Sequence, residues 1–210
     1  MTMVKDLMNE PITISKSKKI SDVITKLFQN GISRLLVETE GRISEIVTEK
    51  DLILFLLQSK TEENLDSLSI SDITKKLVTV ENSISIKDSA NLMLNKKISS
   101  LAVSSGGQIE GIITKTDLAR YYKDNFPGKK KVSDYMTTSY DWMFSDDSLF
   151  TIVKQMLDKK ISRMILISQS HMPDGILSLR DLLKISHNLG TEETVVDNTE
   201  PGVSVLFSRK

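Results

Sequence analysis

Apolar residues at Ile20, Val23, Ile24, Leu27 and Phe28 share one face of a 3.6-residue period, and Gly31 just beyond them suits a helix stop. Leu149, Ile152, Val153, Met156 and Leu157 repeat that stripe. After each comes a short apolar run, Leu35 to Val37 and Met164 to Ile167, with Leu101 to Val103 as a third. A second set follows at Ile43 to Val47, Ile109 to Ile113 and Gly175 to Leu177, and both sets read as buried strands. Ile12-Thr13-Ile14 and Val78-Thr79-Val80 are further strand candidates ahead of the helices. Short apolar helices are predicted after Asp51, Asp117 and Asp181. The predicted order is β-α-β-β-α, an α/β (α+β) class, and a unit of roughly 55 residues buries too little surface to stand alone, so units must pack on one another.

The unit occurs three times. Gly31-Ile32-Ser33-Arg34-Leu35-Leu36-Val37 returns as Lys97-Ile98-Ser99-Ser100-Leu101-Ala102-Val103 and as Lys160-Ile161-Ser162-Arg163-Met164-Ile165-Leu166. Glu45-Ile46-Val47-Thr48-Glu49-Lys50-Asp51-Leu52 returns at Gly111 to Leu118 and at Gly175 to Leu182. A weaker echo opens each copy: Val4 to Met8, Ile70 to Thr74 and Val132 to Met136. Three tandem repeats are therefore expected over 1–60, 70–124 and 132–188, with a tail over 189–210. Gln58 to Ser69 and Lys123 to Lys131 read as linkers. The lysines at 129 to 131 read as a solvated turn without a function of their own.

Composition narrows the chemistry. The chain has 210 residues, 39% hydrophobic and 27% charged, the balance of a soluble globular protein. Its 28 basic and 28 acidic residues cancel, so any anion site must be local and no global field favours nucleic acid. The chain has no Cys and two His, which removes disulfides and thiolate catalysis and leaves little for a metal site. No segment has the roughly 20 apolar residues needed to span a bilayer, and no secretory signal opens the chain, so a cytoplasmic location is expected.

The candidate chemistry sits where the last strand of each repeat turns into its last helix. A hydroxyl residue precedes an Asp by three positions as Thr48 with Asp51, Thr114 with Asp117, and Ser178 with Asp181. One reading is a helix cap, in which hydroxyl and carboxylate satisfy early backbone amides. The other uses the same helix terminus for a phosphate, with the carboxylate accepting from the two hydroxyls of a ribose. Gly111 and Gly175, lacking a Cβ, would let a base or sugar approach the strand.

These residues resemble the CBS domain, named for cystathionine β-synthase. The resemblance rests on the Ile-Ser-Arg echo before an aliphatic strand and on Gly-Ile-Ile-Thr-x-x-Asp leading into a helix, and covers about four-fifths of the chain. It implies a β-α-β-β-α fold that pairs into modules with interfacial clefts. Those clefts would bind an adenine nucleotide or adenosyl compound: AMP, ADP, ATP or S-adenosylmethionine. By the same resemblance the chain would be a regulatory module and not an enzyme, with no attached enzyme or transporter domain and no cofactor. Asp51, Asp117 and Asp181 would hold ribose, with Thr48, Thr114 and Ser178 near ribose or phosphate. Gly111, Ile112, Gly175 and Ile176 would be backbone and apolar walls. Ile12, Val78 and Tyr140 would meet the adenine, and Arg34 and Arg163 the phosphate, though a surface salt bridge is an equal reading for both arginines.

The repeats depart from one another. Glu45 replaces the glycine in repeat one, and Ser100 replaces the arginine in repeat two. Asp141 and Trp142 of repeat three stand opposite Thr13 and Ile14, and Trp142 could stack on adenine or belong to the core. Repeats one and two are expected to pair, leaving repeat three with an apolar face. A homodimer, or the Val203 to Phe207 segment of the tail added as a strand, would cover it. The alternative to a sensor is a ligand-free scaffold whose turns are only caps and which docks an unknown effector protein.

Overall fold

The computed structural model describes residues 2–58, 65–126, 128 and 130–188. The tail, with its Val203 to Phe207 segment, lies outside the described residues, as do Pro127 and Lys129. The first repeat contains β1 (Thr13–Ser15), α1 (Ile20–Gln29), β2 (Arg34–Thr39), β3 (Arg42–Thr48) and α2 (Glu49–Gln58). The second contains β4 (Lys75–Lys76), β5 (Thr79–Glu81), α3 (Ile86–Asn95), β6 (Ser100–Ser105), β7 (Gln108–Thr114) and α4 (Lys115–Asn125). The third contains β8 (Trp142–Phe144), α5 (Leu149–Asp158), β9 (Arg163–Ile167), β10 (Pro173–Ser178) and α6 (Leu179–Asn188).

Apart from the two-residue β4 that precedes it in the second, the same β-α-β-β-α order runs through all three repeats. In each, a short first strand pairs parallel with the second, as the intervening helix requires: Ile14 with Val37, Val80 with Val103, and Met143 with Leu166. The hairpins β6–β7 and β9–β10 are antiparallel. This register corrects the alignment of repeat three by one residue. Trp142 stands with Thr13 and Thr79, and Asp141, not Tyr140, occupies the place of Ile12 and Val78. The burial agrees, since Ile14, Val80 and Met143 are the buried strand residues. Repeat three carries one extra residue between its opening turn and its first strand, which the Tyr-Asp-Trp run concealed.

The helices start and stop by local chemistry. Ser85 and Ser148 cap α3 and α5 by accepting from the amides of Asp88 and Thr151 at 3.0 and 3.2 Å. At the far ends of α1, α3 and α5 the chain turns left-handed at Gly31 (φ 62°), Lys97 (φ 54°) and Lys160 (φ 57°). Each turn is closed by an amide reaching back to a carbonyl five residues earlier, Ile32 to Leu27, Ile98 to Met93 and Ile161 to Met156. The glycine stop expected at residue 31 thus has two lysine counterparts, which the sequence pattern alone did not mark as stops.

The described residues form two compact units. One draws on the described parts of Met1–Lys16, Leu35–Ile46 and Thr74–Tyr135, and the other on the described parts of Ser17–Arg34, Val47–Ile73 and Met136–Lys210. In the first, Val4, Val80, Met93, Leu101, Val103 and Ile113 form the core, with Leu7, Met8, Val78 and Leu118 packed against it. Repeats one and two exchange their opening segments there. Lys75 and Lys76 of β4 pair with Ile46 and Glu45 of β3, and Asn9 bridges Ile112 of β7.

In the second unit, α1 packs on α2 and α2 on α6. Leu52, Ile53 and Leu56 of α2, and Leu182 and Leu183 of α6, are fully buried. Arg180 joins the two helices, its Nε donating to Glu49 and its Nη2 to the carbonyl of Ile32, at 2.6 and 2.8 Å. This corrects the expected assembly. Repeat one is divided, its strands grouping with repeat two and its helices with repeat three, so the helical face of repeat three is already covered. The apolar faces of α2 and α6 bury each other, and the exposed apolar surface of repeat three lies on its sheet instead.

Candidate functional site

All three Ser/Thr-x-x-Asp turns form caps. In repeat two the Thr114 hydroxyl and amide donate to one carboxylate oxygen of Asp117 at 2.6 and 2.9 Å, while the Asp117 amide donates back to the hydroxyl at 3.4 Å. Thr48 and Asp51 repeat this at 2.6, 3.1 and 3.3 Å. Ser178 donates through its hydroxyl and amide to Asp181 at 2.6 and 2.9 Å. The turns differ in what else reaches them. Asp117 is 6% exposed and Asp51 8%, whereas the Asp181 side chain is 39% exposed, with Lys184 3.4 Å from its second oxygen. The Ser178 hydroxyl, ahead of an opposing effect of burial, lowers the pKa of Asp181 below the ordinary carboxylate range.

In repeat two the glycine wall is filled by the chain itself. A Cβ on Gly111 would lie 2.6 Å from the Met8 sulfur and 3.1 Å from the Asn9 carbonyl. Ile112 exchanges both backbone hydrogen bonds with Asn9 at 2.9 Å. The Asn9 side-chain amide donates to the second oxygen of Asp117 at 2.9 Å. The backbone approach that the missing Cβ permits at Gly111 is therefore made by residues 8 and 9.

Repeat one is closed by different chemistry. Glu45, at the glycine position, accepts from Lys16 at 2.6 Å and from the Thr74 hydroxyl at 2.9 Å. The Lys16 hydrogen bond is the main cause of a lowered Glu45 pKa, with burial opposing it.

Repeat three is open. Among the described residues, no atom beyond Gly175 and its two chain neighbours lies within 4 Å of where a Gly175 Cβ would stand. A cavity of about 860 Å³ lies there, lined by Tyr140, Trp142, His171, Asp174, Gly175 and Ile176 with Ile165, Ile167 and Pro173 behind them. Trp142 is 42% exposed, so it is surface and not core. It stands edge-on to Phe144 and His171, at 5.4 and 6.1 Å between ring centres, which leaves an aromatic wall able to stack on a flat ring. Arg163, exposed on β9, is the register partner of Ser178 at the far end of β10. Arg163, Ser178 and Asp181 lie outside the cavity lining, and Ser178 is about 10 Å along the strand from Gly175 at the rise of an extended chain.

The remaining candidates make contacts within the chain. The carbonyls of Ile12 and Val78 accept from the amides of Leu36 and Ala102 at 3.1 and 3.0 Å. Arg34 is half-buried and donates to the Ser33 hydroxyl at 3.1 Å. Of the residues singled out in the sequence, the cavity brings together Tyr140, Gly175, Ile176 and Trp142. It adds His171, Pro173 and Asp174 from the β9–β10 hairpin, where the repeats share no motif. Among the described residues no cluster of three or more His, Asp or Glu could hold a metal. No helix among them is long and apolar enough to cross a membrane.

Comparison with known proteins decides the family: the CBS-domain profile matches residues 4–58, 70–124 and 132–188. The chain belongs to the CBS-domain family. Among curated relatives, this CBS-domain protein is 25% identical to an inosine-5′-monophosphate dehydrogenase of Nitrosopumilus maritimus and 28% identical to a homoserine O-acetyltransferase of Methanococcus vannielii. Those alignments cover 95% and 72% of this chain but only 42% and 28% of the relatives. The chain thus spans less than half the length of either enzyme. Among solved structures, protein MJ1225 of Methanocaldococcus jannaschii, a proposed archaeal homologue of γ-AMPK, superposes with a TM-score of 0.78 at 19% identity, covering 88% of this chain and 72% of its own. The CBS domain pair of MJ0100, solved with 5′-methylthioadenosine and S-adenosylmethionine, gives 0.52 at 23% identity and covers 59% and 98%. CBSX2, solved with AMP, gives 0.53 at 19% and covers 60% and 99%. These likenesses show the shared CBS fold.

Proposed function

We propose that this CBS-domain protein is a non-enzymatic regulatory module of the cytoplasm that binds one adenine nucleotide or adenosyl compound at repeat three. The observation that carries this reading is the cavity beside Gly175, where the unfilled glycine wall faces Tyr140 and Trp142. An adenine ring would stack on the aromatic wall, and the ribose and any phosphate would run along β10 toward Asp181 and Arg163. Asp181 keeps an accessible carboxylate oxygen for ribose hydroxyls, and Arg163 supplies a planar cation for phosphate. The adenosyl ligands of MJ0100 and the AMP of CBSX2 support this ligand class. Binding would act on a partner protein through its differential affinity for two arrangements of the repeats.

Repeats one and two take the other reading. Asp51 and Asp117 act there as helix caps, because Glu45 with Lys16, and Met8 with Asn9, occupy the positions a ligand would need.

Calorimetric titration of AMP, ADP, ATP and S-adenosylmethionine tests the assignment. Saturable binding by at least one of them is expected, weakened tenfold or more by Trp142→Ala or Asp181→Ala, about 1.4 kcal/mol, and unchanged by Glu45→Gln. No binding of any of the four would leave a ligand-free scaffold.

A further inference from the structure

The cavity of repeat three is lopsided in charge. Asp174 brings a carboxylate to its lining, and no Lys or Arg is among the residues that line it. Lys159 holds Asp141, Lys184 lies 3.4 Å from Asp181, and Arg163 is outside the lining. The rest of the wall is aromatic and apolar. Tyr140 and Trp142, 60% and 42% exposed, stand in the same lining as Asp174. An aromatic face attracts a cation that comes within about 6 Å of its centre, and tryptophan does so most strongly.

Asp174 owes its place to a β-bulge. Pro173 pairs with Ile167 and Gly175 with Leu166, which leaves Asp174 as the extra residue between them. Such a residue stands outside the strand ladder, and bulges beside ligand sites re-aim a side chain. Repeat two has the same irregularity at Glu110, between Ile109 and Gly111. There the carboxylate is engaged, since the side-chain amide of Asn82 donates to it at 3.2 Å. Asn82 follows β5, and Ser145 stands at the same place after β8. Among the described residues, no hydrogen bond or ion pair engages the Asp174 carboxylate, and the residue is exposed. The bulge therefore holds an acid at the cavity that the repeat itself does not use.

We infer that the cavity selects an adenosyl compound carrying a sulfonium cation over the adenine nucleotides, and that Asp174 sets this preference; the inference rests on the ligand class proposed above. In an adenosyl ligand the base and the 5′ substituent leave one face of the ribose, and the 2′ and 3′ hydroxyls leave the other. Hydroxyls held by Asp181 therefore turn both the base and the 5′ group toward the cavity. A phosphate in that position faces a carboxylate and aromatic rings, and has to leave the cavity to reach Arg163. Like charges in a site walled by apolar groups repel more strongly than they do in water. A sulfonium in the same position meets the Asp174 carboxylate and the aromatic faces, all of which attract it.

S-adenosylmethionine and S-adenosylhomocysteine differ by one methyl group and one positive charge, so the pair isolates the charge. Calorimetric titration of both, with AMP and ATP alongside, into the full chain is expected to give S-adenosylmethionine the lowest dissociation constant, by tenfold or more. Asp174→Asn keeps the shape of the side chain and removes its charge, at an exposed position whose folding is checked by circular dichroism. It is expected to weaken S-adenosylmethionine tenfold or more, and to change S-adenosylhomocysteine less than twofold. Equal affinity of the wild type for the two compounds overturns the inference, as does tighter binding of AMP or ATP. So does an Asp174→Asn variant that weakens both compounds alike or neither. Each of these results leaves an adenosyl site in repeat three standing, whereas no binding of any of the four overturns the site and its selectivity together.

Discussion

The side-chain amide of Asn9 donates to Asp117 at 2.9 Å across 108 positions of sequence, on the one carboxylate oxygen that Thr114 leaves to other partners. That bond ties the opening of repeat one to the helix start of repeat two. It also separates two turns with nearly the same residues: Asp117 is 6% exposed, whereas the Asp181 side chain is 39% exposed. Asn9→Ala is expected to cost about 1–3 kcal/mol, because it leaves a buried charged acceptor short of a donor. Urea unfolding checks this, with Thr137→Ala, the exposed counterpart in repeat three, as the neutral control.

The two glycines separate in the same way. Gly111→Val places a side chain where Met8 and the Asn9 backbone already stand, and overpacking of that kind costs about 1–3 kcal/mol. Gly175→Val meets nothing within 4 Å among the described residues beyond its chain neighbours, and should leave the unfolding midpoint nearly unchanged while obstructing the cavity. Parallel denaturation and ligand titration of the two variants would show stability lost in the first and binding lost in the second.

Glu45 gives a pH dependence with a definite sign. Its folded pKa is depressed, chiefly by the Lys16 hydrogen bond, so its contribution is present above the ordinary glutamate value and is lost as pH falls through the folded value. Glu45→Gln should therefore be less stable than the wild type at neutral pH. The difference should shrink as pH drops below about 4, the range in which free glutamate titrates. Urea midpoints of both proteins across this range measure it.

Lys97 and Lys160 hold the left-handed turn that Gly31 holds without a Cβ. A side chain in that conformation costs about 1–2 kcal/mol, and glycine returns part of it as entropy in the unfolded chain. Lys97→Gly and Lys160→Gly are each expected to stabilise by about 0.5–1 kcal/mol. Gly31→Ala should destabilise, and thermal unfolding of the three variants checks all of them.

The repeat order, the three capped turns and the helix stripes were legible because each follows from local periodicity or from a pattern stated three times. Which turn stays open was not, because that depends on long-range partners. Nothing near Gly111 in sequence announces Met8, and Glu45 could be read as a charge in a ligand's place but not as the partner of Lys16 and Thr74. The one-residue shift in repeat three escaped because Tyr140 and Trp142 both satisfy a strand pattern, and only the pairing of Trp142 with Ile165 distinguishes them. The division of repeat one between two units escaped because the apolar faces of α2 and α6 name no partner. His171 and Asp174 belong to a hairpin outside the repeated motif, so they carried no signal.

Trp142 is the chain's single tryptophan and lies in the cavity wall, which makes its fluorescence a direct report on the proposed site. Titrating AMP, ADP, ATP and S-adenosylmethionine into the wild-type protein while following that emission tests the central claim. The account predicts a saturable change with at least one ligand, shifted to tenfold higher concentration or more by Asp181→Ala and left in place by Asp117→Asn. Flat emission with all four, or a change abolished by Asp117→Asn and indifferent to Asp181→Ala, would contradict it.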